Sequence, residues 1–342
     1  MKFRFAGLAV LGGALALALV VGLGTTPGLA QRISFVIAAG PTGGTYFPIA
    51  QAIAGIVSHP SGVDRCEAKG ACGPEGMIAS VQTSEGSVEN VTDVNSGRVD
   101  SGLAQADVVK AAVKGEGVFR KSGPLKHLAV IAALFPEEVH VVAAKDAHIA
   151  TIAQLRGKRV SLGDENSGSA MTAEAVLHAW RIPLSRVQVH RMSSDVAADA
   201  LQKGKIDAFF FVGGAPVGLV ADLIQRGRAV LVPIDGAGRK RLIAEDPALS
   251  ADVIAASTYA NAPATQTVST RALWVVNDSA QAGIVYGVVR ALFNPANRTR
   301  LDQSHPSAKL IRIESATSNL PAPLHPGAAR FFREASKRPD GT

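Results

Sequence analysis

One kind of joint occurs twice in this chain, and it limits the fold more than any single motif does. In the first half a helix-patterned segment ends at Ser96-Gly97-Arg98-Val99-Asp100 and gives way to the strand-like Ser101-Gly102-Leu103-Ala104-Gln105. In the second half Lys203-Gly204-Lys205-Ile206-Asp207 leads in the same way into Ala208-Phe209-Phe210-Phe211-Val212. Upstream of each joint, a strand pattern runs through a glycine-containing turn into a helix, at Gly40 to Gly44 and again at Gly163 to Ser169. The first spacing is the longer, and a cysteine-bearing excursion from His59 to Gly76 accounts for the difference. Strand and helix patterns alternate along the rest of the chain, which predicts parallel sheets covered by helices. The echo predicts two similar α/β lobes, with both glycine turns beyond the carboxyl ends of strands and so on a shared cleft.

In detail, strands are expected over 34–39, 76–82, 101–105, 128–134 and 139–144, with helices over 46–58, 88–95 and 107–114. The second series has strands at 159–162, 187–191, 206–212 and 229–233, with helices at 170–180, 196–203 and 216–226. The chain crosses between lobes at 136–144 and returns at 272–277, two strands able to flex as a hinge. The expected division is a leader over 1–30, a first lobe over 31–136 with 277–342, and a second over 137–276.

The N-terminus predicts export. Met1-Lys2-Phe3-Arg4 is basic, Ala6 to Leu23 is apolar, and Gly28-Leu29-Ala30 places small residues where a signal peptidase cuts, so cleavage is expected after Ala30. An uncleaved anchor is the alternative, because the apolar run is near spanning length. No cysteine lies near the cleavage site to carry a lipid. The chain beyond the leader is long enough for two cores. The net charge of +7 is scattered and aromatics are only 5%, so nucleic-acid binding is not expected. A mild basic bias either helps collect small anions or serves solubility alone. Cys66 and Cys72 are the only cysteines, and in an exported chain they predict a local disulfide. A two-thiol metal site would need further ligands at zinc spacing, and none is near. No metal or cofactor is expected.

The first glycine turn has the character of an anion nest. Tyr46, Ile49, Ala50, Ile53 and Val57 fall on one helical face, and Gly43 and Gly44 allow a ligand close to the unpaired amides at its start. Phosphate and carboxylate both suit such a site. No Gly-Lys-Ser/Thr follows, and the spacing is not that of a dinucleotide fingerprint. A tight connection without a ligand is the plainer reading of the same residues.

An ordered set of motifs carries a resemblance: Gly43-Gly44-Thr45-Tyr46-Phe47-Pro48, Gly86-Ser87-Val88-Glu89-Asn90, Ser96-Gly97-x-x-Asp100 with Gln105-x-Asp107, and Leu134-Phe135-Pro136-Glu137. Leu155 to Gly163, Ser167-Gly168-Ser169, Asp207-Ala208 with Gly214-Ala215-Pro216, and Leu324-His325-Pro326-Gly327-Ala328 extend it over nearly all of the chain after the leader. The set resembles the TAXI family of solute-binding proteins of TRAP transporters. The resemblance implies a two-lobed type II periplasmic-binding-protein fold. Each lobe would be a mixed, mostly parallel sheet flanked by helices, with the ligand cleft between them. It also implies capture of a small carboxylate, a glutamate-like amino acid or a dicarboxylate or keto-acid, by a periplasmic monomer that delivers it to a TRAP permease. Carried over by position, Thr42, Gly43, Gly44, Thr45, Tyr46, Ser87, Val88, Gln105 and Asp107 line one side of the cleft. Ser167, Gly168, Ser169, Gly213, Gly214, Ala215 and Pro216 line the other. Three positions depart from the family pattern: Phe135 where tyrosine is usual, Glu85 where a small residue is common, and Ala39-Gly40-Pro41 in place of a more glycine-rich approach.

Each site residue has a structural role open to it. Ser87 and Ser169 suit helix caps, Thr42 and Thr45 suit a turn, and Asp107 suits a cap as well as an amino group. Tyr46 has the body of a core residue, and Asp100 and Asp207 suit holding the turns after their helices. No Gly-x-Ser-x-Gly elbow or His-Glu-x-x-His pair is present, and the eight histidines are isolated. Binding without catalysis is therefore expected; a ligand sensor docked to a membrane receptor kinase is the alternative.

Overall fold

The computed structural model describes residues 32–337 except Asp64, Arg65 and Glu67. The expected leader, its cleavage site and the last five residues of the tail lie outside the described residues. In chain order the elements are β1 (Ile33–Ala38), α1 (Tyr46–Val57), β2 (Met77–Gln82), α2 (Ser87–Ser96), β3 (Ser101–Gln105), α3 (Ala106–Lys114) and β4 (Leu128–Ala144). Then come β5 (Arg159–Ser161), α4 (Gly168–Ala179), β6 (Gln188–His190), α5 (Ser194–Gln202), β7 (Ala208–Gly213), α6 (Gly218–Gln225) and β8 (Ala229–Leu231). The chain closes with α7 (Gly236–Glu245), β9 (Ser250–Ile254), β10 (Thr265–Asn277), α8 (Ala282–Leu292), α9 (Arg298–Ser304) and α10 (Pro326–Ala335).

The strands form one mixed sheet in the order β2-β1-β3-β10-β4-β7-β5-β6, with β8 on β4 and β9 on β10. The two repeated series are its parallel arms: β1 lies between β2 and β3, and β5 between β6 and β7. Between the arms, β4 and β10 run antiparallel to each other and to their neighbours. The repeated joint has the same construction in both arms. Gly97 and Gly204 take positive φ angles of 74° and 64° to end their helices. Asp100 then accepts a hydrogen bond from the Val36 amide in β1 at 2.7 Å, and Asp207 one from the Arg159 amide in β5 at 2.8 Å. Each aspartate thus ties its joint to the strand that opens its own series.

Two corrections concern the long strands. The segments expected as separate strands at 128–134 and 139–144 are one strand, β4. Pro136 is tolerated inside it because the register with β10 shifts beside it, between Arg271 and Leu273. The returning strand starts at Thr265, not at Ala272. Helix α7 and strand β9 carried no clear periodicity and were not expected.

Among the described residues, buried side chains fall into four clusters. Two draw on residues before Pro136 and after Arg271, with Phe35, Ile53 and Trp274 in one and Val91, Val109 and Leu273 in the other. These make up the first half of the molecule. The other two draw on residues between Val139 and Val268, and make up the second half. Ala272, Trp274 and Val276, expected in the second lobe, pack with the first half. The Cys66–Cys72 disulfide is formed, and the segment beside it is held to the C-terminal part by Asn297, whose amide donates to the Ala71 carbonyl at 2.7 Å.

Candidate functional site

Five helices begin at one cavity between the halves. From the first half come the starts of α1 (Thr45, Tyr46), α2 (Gly86, Ser87) and α3 (Gln105); from the second come those of α4 (Ser167, Gly168, Ser169) and α5 (Ser194). Each start leaves amides without intrahelical partners and places roughly half a positive charge at its end. Only α4 is capped by its N-cap side chain, Ser167 Oγ accepting from the Ala170 amide at 3.0 Å; the caps of α1, α2, α3 and α5 make no such bond. The cavity volume is about 50 Å³, room for on the order of three to five waters.

The side chains set against these dipoles are acidic. Glu85, Glu137 and Asp164 line the cavity, and no Lys, Arg or His is among the described lining residues. Glu137 is 1% exposed, and Tyr46 donates its hydroxyl proton to it at 2.7 Å. Burial pushes the Glu137 carboxyl well above the ordinary range, against the pull of that hydrogen bond. The Tyr46 hydroxyl is raised by its own burial and by Glu137. Glu85 accepts from both the backbone and the side-chain amide of Asn166, at 2.9 and 3.0 Å, closing the rim between halves. Asp164 is raised by partial burial and by Glu85 and Glu89 nearby. Ser194 Oγ is buried at the cavity with no hydrogen-bond partner among the described residues, and a solute's polar group would satisfy it.

Of the residues expected at the cleft, Gly44, Thr45, Tyr46, Ser87, Gln105, Ser167, Gly168 and Ser169 line this cavity together. Ser87 does not cap its own helix; its hydroxyl accepts from the Gln105 amide at 3.1 Å. Ser169 accepts from the Val212 amide at 3.0 Å. Gly168 sits so close to Gln105 that a Cβ would overlap the Gln105 amide oxygen. The other expected residues lie elsewhere. Thr42 is exposed on the turn, and Gly43 backs onto Asp195 of α5. Val88 is in the helix-packed core of the first half.

Asp107 is buried behind the cavity, accepting from Thr172, Thr270 and Gln105 at 2.9, 3.1 and 3.3 Å. Gly213 to Pro216 back the site without lining it. Gly214 O accepts from Thr45 Oγ1 at 3.2 Å, the Ala215 amide donates to Glu138 at 2.9 Å, and the Ala215–Pro216 bond is cis. Phe135, in place of the usual tyrosine, is fully buried edge-on to Tyr46 with ring centroids 6.4 Å apart.

Glu137, Ser194, Met192 and Phe211 belong to the lining and were not expected there. A signal existed for two of them. Glu137-Glu138 is an acidic pair within an apolar strand, and Ser193-Ser194-Asp195 is a helix-start pattern after β6. Phe211 gave none, since it reads as core.

The NMT1-like family matches this chain over residues 37–335. Among solved structures, MatC from Rhodopseudomonas palustris with bound malate is 14% identical, with 89% of this chain and 98% of that chain covered at a TM-score of 0.51. A protein from Bordetella bronchiseptica RB50 is 15% identical, covering 89% of this chain and 83% of its own at 0.50. The alkanesulfonate-binding protein SsuA from Xanthomonas axonopodis pv. citri, bound to MOPS, is 14% identical with 89% and 85% covered at 0.46. At such identities the likeness is one of fold: a mixed α/β fold with a central sheet flanked by helices.

Proposed function

The chain belongs to the NMT1-like family, and on that premise we propose that it is a periplasmic solute-binding protein that closes two lobes on a small organic acid. The ordered motifs resembling the TAXI family support a finer reading, in which the permease it serves is of the TRAP type. The observation that carries the reading is the set of five helix starts, drawn from both halves, around one small cavity. Helix dipoles from both sides suit a carboxylate held between them. With Glu85, Glu137 and Asp164 also present, the best-matched solute carries a positive group as well. We therefore favour a glutamate-like amino acid over a plain dicarboxylate, its ammonium beside Glu137. An ammonium there would draw the raised Glu137 carboxyl back to its charged form. The solute is bound and released unchanged.

The test is calorimetry on protein stripped of solute by unfolding and refolding, with L-glutamate, L-aspartate, malate and 2-oxoglutarate. An amino acid binds wild type, and Glu137→Gln weakens it by about 100-fold, as expected for loss of one partner of a buried charge pair. The variant leaves any keto-acid or malate binding within about 3-fold, since Gln mimics a protonated Glu there. Binding of the plain acids alone would displace the amino-acid reading; no binding by any of the four overturns the solute class. Mass analysis of recovered solute checks that no chemistry occurs.

A further inference from the structure

We propose that helix α3 is a clasp beside the cavity, through which Asp107, Lys110, Thr172 and Asp246 set solute affinity without touching solute. This rests on the proposed closure of the cleft around a solute. Asp107 and Lys110 are three residues apart on α3 and so share a face. That face meets the second half. Thr172 of α4 donates to Asp107 at 2.9 Å, and Lys110 Nζ lies 2.6 Å from Asp246 at the end of α7. Next to Thr172, Met171 packs into the apolar cluster built by α2 and α3.

The contacts differ from ordinary surface bonds in their burial. Asp107 is 2% exposed, and the side chains of Lys110 and Asp246 are 17% and 24% exposed. Separating α3 from α4 and α7 would break the Thr172–Asp107 and Lys110–Asp246 contacts, so these two exist only in the closed arrangement. None of the four residues lines the cavity. Gln105 joins the two regions: it lines the cavity, and its side-chain amide donates to Thr172 at 3.0 Å. Apparent affinity scales with the fraction of protein in the binding-competent state. Weakening the clasp therefore lowers affinity through faster release, and the four residues are positioning residues.

The experiment compares wild type, Lys110→Ala, Asp246→Asn and the double variant. Release of L-glutamate is followed by stopped flow and affinity by calorimetry. In the ligand-free protein, the spacing of spin labels at Glu116→Cys and Lys240→Cys is measured. Each single variant should raise Kd by about 5-fold through a faster release rate, with the double variant no worse than either. The label distances should shift to longer values, and ligand-free melting should stay at the wild-type temperature. Wild-type release and wild-type distances together overturn the clasp, as does a fall in ligand-free melting with release unchanged. If wild type binds none of the four probes, the solute reading has failed on its own terms. The label distances then decide the clasp alone, unchanged spacing overturning it.

Discussion

Glu137 and Glu138 are neighbours on β4 and therefore point to opposite faces of the sheet. Glu137 reaches the cavity, whereas Glu138 accepts from the Ala215 amide beside the loop that backs it. Burial raises Glu138 from the ordinary 4.5 to about 7, with the Ala215 hydrogen bond opposing the shift. A carboxyl raised in the folded state holds its proton more tightly there than in the unfolded chain. Its contribution to stability is thus fully present below pH 4.5 and is lost as pH rises through 7. A shift of this size corresponds to about 3 kcal/mol at most. Glu138→Gln keeps an acceptor for Ala215 and does not titrate. Urea unfolding should show wild type losing up to about 3 kcal/mol relative to the variant between pH 4.5 and pH 8. A constant difference between the two proteins would mean that Glu138 does not titrate in this range. The acidic pair was visible in the sequence, but which member faces the cavity was not. That depends on the strand continuing through Pro136, which the register shift opposite it permits.

At the scale of elements, both parallel arms were legible because their strands and helices carry clean apolar periods and each series ends in a Gly-x-x-Asp joint. Helix α7 was not, for a physical reason: of its ten residues only Gly238 and Leu242 are buried, so it shows no apolar stripe. The cleft side of the site was legible at the starts of α1, α2 and α4, where glycine or serine opens the helix, whereas the Ser193-Ser194 start of α5 was not read as part of it. Val88 and Asp107 were misplaced for the opposite reason. Each is the second residue of its helix, α2 or α3, and the helical turn carries Val88 into the core and Asp107 behind the cavity. The closeness of α4 to α3 rests on the missing side chain of Gly168. The Gln105 amide it faces is held by Thr172 and Asp107 and has little freedom to turn away. Gly168→Ala should hold the halves apart and weaken solute binding by about 10-fold or more. Thermal melting of the ligand-free protein should change little. Wild-type affinity in a folded Gly168→Ala variant would show that this approach is not needed for closure.

For the whole molecule, the central question is whether separate cores imply separate folding. The halves keep distinct apolar clusters, yet both are strung on β4 and β10, which pair on either side of the register shift where the core changes. At about 3.3 Å per residue the 17-residue β4 spans roughly 55 Å, long enough to serve both halves. Melting either half would leave a long stretch of β4 and β10 without its covering helices and expose its apolar face to water. That penalty couples the halves, so unfolding is expected to be a single cooperative step even though the same strands flex when the cleft opens. The two tryptophans test this directly, because Trp274 belongs to the first half and Trp180 packs against the second. In Trp180→Phe the emission reports the first half alone, and in Trp274→Phe the second alone. Each variant's urea transition by emission should superpose on its own transition by far-ultraviolet circular dichroism. Emission and dichroism transitions that separate in either variant would mean that the halves unfold independently, and that the strand pair is only a flexible tether between them.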